Sequence, residues 1–192
     1  MFRNSVDIQI GDTKKHVQEF RVEGEYVELL GETFYRIRHF DQMAPFFMSL
    51  VSSSDHWLFL SSTGGLTAGR IDANSALFPY ETDDKITAGS EHTGSRTIFQ
   101  VHRDGRTWQW EPFSMRYAGL YQCERNLYKN IVGDKVLFEE INHDLHLTFR
   151  YAWRTSDTFG FVKSSWLDYH GEDECRIALI DGLQKVYKEG EG

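Results

Sequence analysis

The last third of the chain most limits the folds open to it. Residues 136–141, 145–153 and 161–169 form three strand-like runs in a row, and residues 175–183 read as the partner of the third. Within the second run, Leu145, Leu147, Phe149, Tyr151 and Trp153 alternate with His146, Thr148, Arg150, Ala152 and Arg154. A period of two places the first set on one sheet face and the more polar set on the other. Asn142-His143-Asp144 and His170-Gly171-Glu172-Asp173 supply turns between the runs, and the sequence closes on Lys188-Glu189-Gly190-Glu191-Gly192. The expectation is a sheet with one buried face.

The rest of the chain has the same texture. Residues 17–22 and 25–30 flank Glu23-Gly24, a hairpin connection, and residues 33–40 follow Gly31. Ser52-Ser53-Ser54-Asp55 separates runs 46–51 and 57–61, and Gly64-Gly65 leads into 66–71. Runs 97–102 and 107–110 meet across Arg103-Asp104-Gly105-Arg106, where Asp-Gly is a strong hairpin signal. Residues 120–128 read as one more strand. Helical periodicity is confined to short turns at 75–78 and 83–88. Pro45, Pro79 and Pro112 sit at the edges of runs, where sheets tolerate proline. The fold class expected is all-β, an antiparallel β-sandwich with few short helical turns, spanning 1–192 as a single domain.

Composition narrows the functions. The 192 residues are 40% hydrophobic and 15% aromatic, enough to build a core without disulfides or metal. A net charge of -8 disfavours phosphate backbones and anionic lipid, so neither nucleic acid nor membrane is expected as a partner. No run approaches the ~18 consecutive apolar residues of a membrane span. Met1 is followed by Phe2-Arg3-Asn4-Ser5 rather than an apolar core, which points to a cytoplasmic protein. Cys123 and Cys175 belong to no Cys-x-x-Cys pair and read as free thiols.

Familiar catalytic patterns are not found. The histidines are scattered, and His143 and His146 span a turn and a strand rather than one metal-facing side. Ser61-Ser62-Thr63-Gly64-Gly65 lacks the order of a nucleophile elbow, and the glycines that follow lack a phosphate-loop ending. No catalytic residue, metal ligand or cofactor is assigned. The most distinctive segment is residues 66–86, which sets Arg70, Asp72, Glu81, Asp83, Asp84 and Lys85 beside Phe78, Pro79 and Tyr80. Rings stack on the C–H faces of sugars while carboxylates and arginine take hydroxyls. Trp108 and Trp110 share one strand face and could form a similar platform. Arg70, Tyr80, Asp83, Asp84, Lys85, Trp108 and Trp110 are therefore the candidate contacts to carbohydrate or to a neighbouring domain. The plainer alternatives are an ordered connection with its charges in water, and tryptophans that pack the core.

These phrases also carry a resemblance. Residues 46–51, the series Asp55-His56-Trp57-Leu58-Phe59-Leu60-Ser61 and Gly65-Leu66-Thr67-Ala68-Gly69-Arg70 are similar to the amino-terminal part of cellobiose-phosphorylase-like carbohydrate-active proteins. Residues 161–167, Gly171 and Ile180-Asp181-Gly182-Leu183-Gln184-Lys185-Val186 resemble the end of their first β-sandwich domain. The resemblance implies a supersandwich of the galactose-mutarotase-like type, which in that family precedes a helical linker and a catalytic (α/α) barrel. No length remains in 192 residues for that barrel.

The expected function is thus a non-catalytic sandwich domain of a glycoside phosphorylase or hydrolase-like enzyme, acting in domain packing, dimerisation or substrate access. Its expected partners are carbohydrate, a catalytic (α/α) barrel domain, or a second copy in a homodimer. That reading requires an exposed apolar patch where the barrel docks. The alternatives are a stand-alone carbohydrate-binding module and a mutarotase-like sugar epimerase. The epimerase needs a histidine and a carboxylate within hydrogen-bonding reach in a pocket.

Overall fold

The computed structural model describes residues 4–10, 13–103 and 105–187. Asp104, at the turn of the expected 103–106 hairpin, and the closing residues 188–192 lie outside the described residues. In chain order the strands are β1 (Asn4–Ile10), β2 (Thr13–Glu19), β3 (Glu23–Leu29), β4 (Glu32–Arg38), β5 (Phe47–Leu50), β6 (His56–Ser61) and β7 (Leu66–Arg70). One short helix, α1 (Asp83–Ala88), precedes β8 (Gly94–Arg103), β9 (Arg106–Trp110), β10 (Cys123–Asn130), β11 (Lys135–Asn142), β12 (Leu147–Ser156), β13 (Gly160–Tyr169) and β14 (Arg176–Gln184). All the strand pairings are antiparallel, and the protein is an all-β sandwich.

One layer is a six-stranded sheet in the order β13-β12-β11-β10-β4-β3. The other consists of two three-stranded sheets, β5-β6-β7 and β14-β8-β9. They share one core. Val136, Phe138, Leu147, Phe149, Tyr151 and Trp153 from the large sheet meet Leu58, Leu60, Leu66 and Ala68 from one small sheet and Phe99, Val101 and Trp110 from the other. The alternation in β12 therefore sets which face is buried, as its sequence period requires. The β1-β2 hairpin forms its own two-stranded sheet, and the His16 N–H donates to the Gly119 carbonyl.

The two small sheets approach each other through the segment after β7. Ala76 bridges to Gly69, and the Leu77 N–H donates to the Ala68 carbonyl at 2.8 Å. On its other side the Leu77 carbonyl accepts from the Tyr187 N–H at 2.8 Å. Phe78 then turns inward and meets Trp153 edge-on. Helix α1 follows and packs on β6 and β7, close enough that a Cβ at Gly65 would lie 1.9 Å from the Ile86 carbonyl oxygen.

Two pairings differ from the sequence expectation. β14 is not the partner of β13: it pairs with β8, Ile180 facing Ile98, in the opposite layer. The 170–175 connection crosses between layers, and a turn-rich stretch fits such a crossing as well as a hairpin. Glu23-Gly24 is likewise no hairpin turn, because β2 pairs back onto β1 and Glu23 already begins β3 against Arg38. The runs expected at 97–102 and 107–110 do pair, as β8 and β9, with Gly105 at φ 70°. Cys123 and Cys175 are free thiols.

Candidate functional site

The segment 66–86 keeps its charges at the surface. Arg70 ends β7, while Asp83 and Asp84 occupy the first turn of α1 beside Lys85, all exposed to solvent. The Thr82 hydroxyl donates to Asp84 at 2.5 Å, which with backbone donors holds that carboxyl below its usual range. Tyr80 is exposed and meets Trp57 edge-on at 5.5 Å. Trp57 in turn stacks near Phe59, and Phe59 near Phe47, so Tyr80 ends a row of aromatic rings on the outer face of β5-β6-β7.

Trp108 and Trp110 do share a strand face, and that face turns into the core. Trp110 is 2% exposed and stacks on Phe99 at 5.2 Å. Trp108 packs against the same core, with the Arg103 guanidinium 5.6 Å from its ring. The tryptophan pair is thus separated from the surface residues of segment 66–86.

Trp110 leads to a feature the sequence reading missed. Its indole N–H donates to Glu140 Oε1 at 2.8 Å, and Glu140 is itself buried in the inward face of β11. Glu140 Oε2 accepts from Arg125 Nε and from the Phe113 N–H, both at 2.7 Å. β10 and β11 place Arg125 directly opposite Glu140 in the ladder. A buried carboxylate of this kind is tolerable only when paired and hydrogen-bonded.

A second carboxylate, Glu91, clamps the same 111–122 loop. It accepts from the Met115 N–H at 2.8 Å, from Arg96 at 2.5 Å and from Arg116 Nε at 3.1 Å. Burial alone would raise its pKa, but Arg96, the Met115 amide and Arg116 outweigh burial and bring it down to about 2. Arg96 also pairs with the buried Glu111. Between the two carboxylates, Phe113 is held at φ 64°, a left-handed conformation costly for an aromatic residue.

This clamped loop walls a cavity of about 250 Å³ lined by Phe40, Phe113, Phe138 and Tyr151 together with Arg125, Asp41, Ser62 and Thr63. Met43 and Met115, both exposed, lie at its rim. A neighbouring cavity of about 230 Å³ shares Asp41, Met115 and Arg125 and extends toward His16, Tyr121 and Cys123. Burial raises the Tyr151 hydroxyl far above its ordinary range, which keeps it a neutral donor, and it pushes the Cys123 thiol up as well.

The outer face of the large sheet carries a polar lattice. Glu139 accepts from Asn126 at 2.8 Å, the Tyr128 hydroxyl at 2.9 Å and Arg150 Nε at 2.6 Å, and Arg150 also pairs with Asp168 at 2.5 Å. Burial, with the Glu139 charge next, pushes the Tyr128 hydroxyl up to about 12. At the end of this face Glu124 lies 2.8 Å from His143 Nε2, 3.5 Å from Arg38 and 3.8 Å from His39. Burial lowers the His39 pKa more than Glu124 raises it, and its ring stacks on Phe20 at 4.1 Å. Elsewhere, His102 Nδ1 and the Thr107 hydroxyl lie 2.8 Å apart, and His146 sits at φ 55° in a turn. Among the described residues no group of three His, Cys, Asp or Glu side chains is placed to hold a metal ion.

The β13–β14 side of the sandwich is an open edge. β13 and β14 are edge strands of the two layers, tied where Asp181 accepts from Lys163 at 2.5 Å and from Ser165 at 2.9 Å. β14 leaves Leu179, Ile180 and Leu183 exposed, Ile180 to 73%, and Val186 and Tyr187 continue the exposed apolar run. An edge strand with apolar side chains on both faces is a surface that soluble proteins ordinarily blunt or cover. Among the described residues no helix is long and apolar enough to cross a membrane. Comparison with known proteins returns no matching family, and no curated protein matches the chain.

Proposed function

We propose that this chain is a non-catalytic β-sandwich module of a carbohydrate-active protein, and that it docks a catalytic (α/α) barrel domain along the β14 edge. The observation that carries this reading is the exposed run Leu179, Ile180, Leu183 and Val186 on a strand whose outer edge has, among the described residues, no neighbour in its sheet. Full burial contributes at most roughly 1.5–3 kcal/mol for each such side chain, enough for an interdomain interface when several are covered together. The strand belongs to the Ile180-Asp181-Gly182-Leu183-Gln184 phrase on which the family resemblance rests. Asp181 supports the same role, since its bonds to Lys163, Ser165 and Thr97 tie β14 to both layers.

The test is association between this module and the barrel region encoded in the same gene, produced separately and mixed in gel filtration. Co-elution is expected, and it should be lost when Ile180→Lys and Leu183→Glu are combined. Failure to co-elute, a double variant that still binds, or a gene encoding no barrel would each contradict the reading.

A further inference from the structure

We infer that the groove where β8, β9 and β14 meet at one end of their sheet binds the doubly charged oxyanion group of a small molecule. The groove encloses about 480 Å³, within the roughly 300–1,000 Å³ of small-molecule sites, and its walls include His102, Arg103, Arg106, Thr107, Glu174 and Arg176. It touches β14 only at the strand's first residue, and the chain alone is enough to test it, so its fate is separate from that of the docking role.

Strand order brings the cations together. β8 runs between β14 and β9, so His102 faces Arg176 on one side and Thr107 on the other. Residues directly opposite one another share a sheet face. In the next row Arg103 stands opposite Arg106 across the hairpin. Like charges in directly opposed positions destabilise a sheet, and Arg176 from the third strand adds to the cost. Arg103 is anchored, with its guanidinium 5.6 Å from the Trp108 ring and donating to the Asp144 carbonyl at 3.4 Å.

Elsewhere in the protein arginine charge is matched. Arg36, Arg38, Arg96, Arg116, Arg125 and Arg150 each pair with a carboxylate. Arg106 and Arg176 are exposed, and neither pairs with a carboxylate among the described residues. This holds although the chain carries 29 acidic residues against 21 basic ones. Glu174, together with Asp104 counted from the sequence, still leaves the three arginines in excess. An oxyanion supplies the missing charge, and guanidinium forks meet its oxygens in pairs. His102 adds a donor: with the Thr107 hydroxyl, 2.8 Å away, donating to Nδ1, the ring proton sits on Nε2. Two guanidiniums without carboxylates favour a group with two charges over a group with one. The net charge of -8 repels an extended polyanion, so the ligand is one small enough for the groove.

The ¹⁵N-labelled chain is titrated with sulfate, inorganic phosphate and malonate, each against sodium chloride at equal ionic strength. At least one dianion should shift the amides of His102, Arg106 and Arg176 saturably, at least tenfold more tightly than chloride, with the β11 amides in place. Sulfate and phosphate acting without malonate would identify a tetrahedral group, and malonate acting alone a dicarboxylate. Arg106→Gln combined with Arg176→Gln should weaken the binding at least tenfold and leave the β11 amides unchanged, whereas Arg154→Gln, an exposed arginine outside the groove, should not alter it. The inference is overturned if no dianion gives a saturable shift, if chloride acts as strongly, or if the double variant binds as the wild type does.

Discussion

The Trp110 indole N–H and the Glu140 carboxylate, 2.8 Å apart, join the core of the sandwich to the loop that covers its cavity. The same carboxylate holds Arg125 and the Phe113 amide, so three groups from β9, β10 and the 111–122 loop depend on one side chain. Replacing Glu140 by Gln leaves the Arg125 guanidinium buried without its counter-charge. Such a loss costs about 3–5 kcal/mol. Urea unfolding should show that decrease for Glu140→Gln, and a smaller one of about 1.5–3 kcal/mol for Trp110→Phe, which removes one bond to a charged acceptor.

Acid stability should depend on Glu91. Its folded pKa of about 2 lies below the ordinary glutamate value of 4.5, so the folded state favours the charged form. The contribution is fully present above the unfolded value and is lost as pH falls through the folded one. A shift of this size corresponds to about 3 kcal/mol. Between pH 4.5 and about 2 the wild-type chain should lose stability more steeply than Glu91→Gln, as measured by chemical unfolding across that range. Parallel acid limbs for the two proteins would remove Glu91 as the cause.

Helix α1 should be sensitive to one methyl group. A Cβ at Gly65 would meet the Ile86 carbonyl oxygen at 1.9 Å and the Ser90 backbone nitrogen at 3.2 Å, and backbone cannot rotate away as a side chain can. Gly65→Ala is expected to lower stability by about 1–3 kcal/mol or more through overpacking. Proteolysis should then cut first between residues 80 and 92. A substitution at Gly182, where a Cβ meets nothing within 4 Å, should be silent by comparison.

The sandwich was legible in the sequence because period-two alternation reports face directly. Leu147, Phe149, Tyr151 and Trp153 are buried as their spacing requires, and the β8–β9 pairing and the 83–88 turn of helix also appear. Pairing across layers was not legible. A turn such as 170–175 looks the same whether the chain doubles back on β13 or crosses to β8. The cavity was hidden for a related reason. Glu139-Glu140 in an apolar strand does announce that one carboxylate points inward, yet only the β10–β11 register sets Arg125 opposite Glu140. Trp108 and Trp110 share a face, as their spacing implies, but spacing alone does not say whether that face meets solvent or core.

The most direct test of the docking role is hydrogen exchange along β14. The protein expressed from its complete reading frame is compared with residues 1–192 under identical conditions, with the amides of residues 176–184 followed individually. If a barrel domain covers this edge, those amides should exchange at least tenfold more slowly in the longer protein, while amides of the β11 core stay unchanged. Equal exchange rates along β14 in the two proteins would contradict the proposal that this edge is where the module meets its catalytic partner.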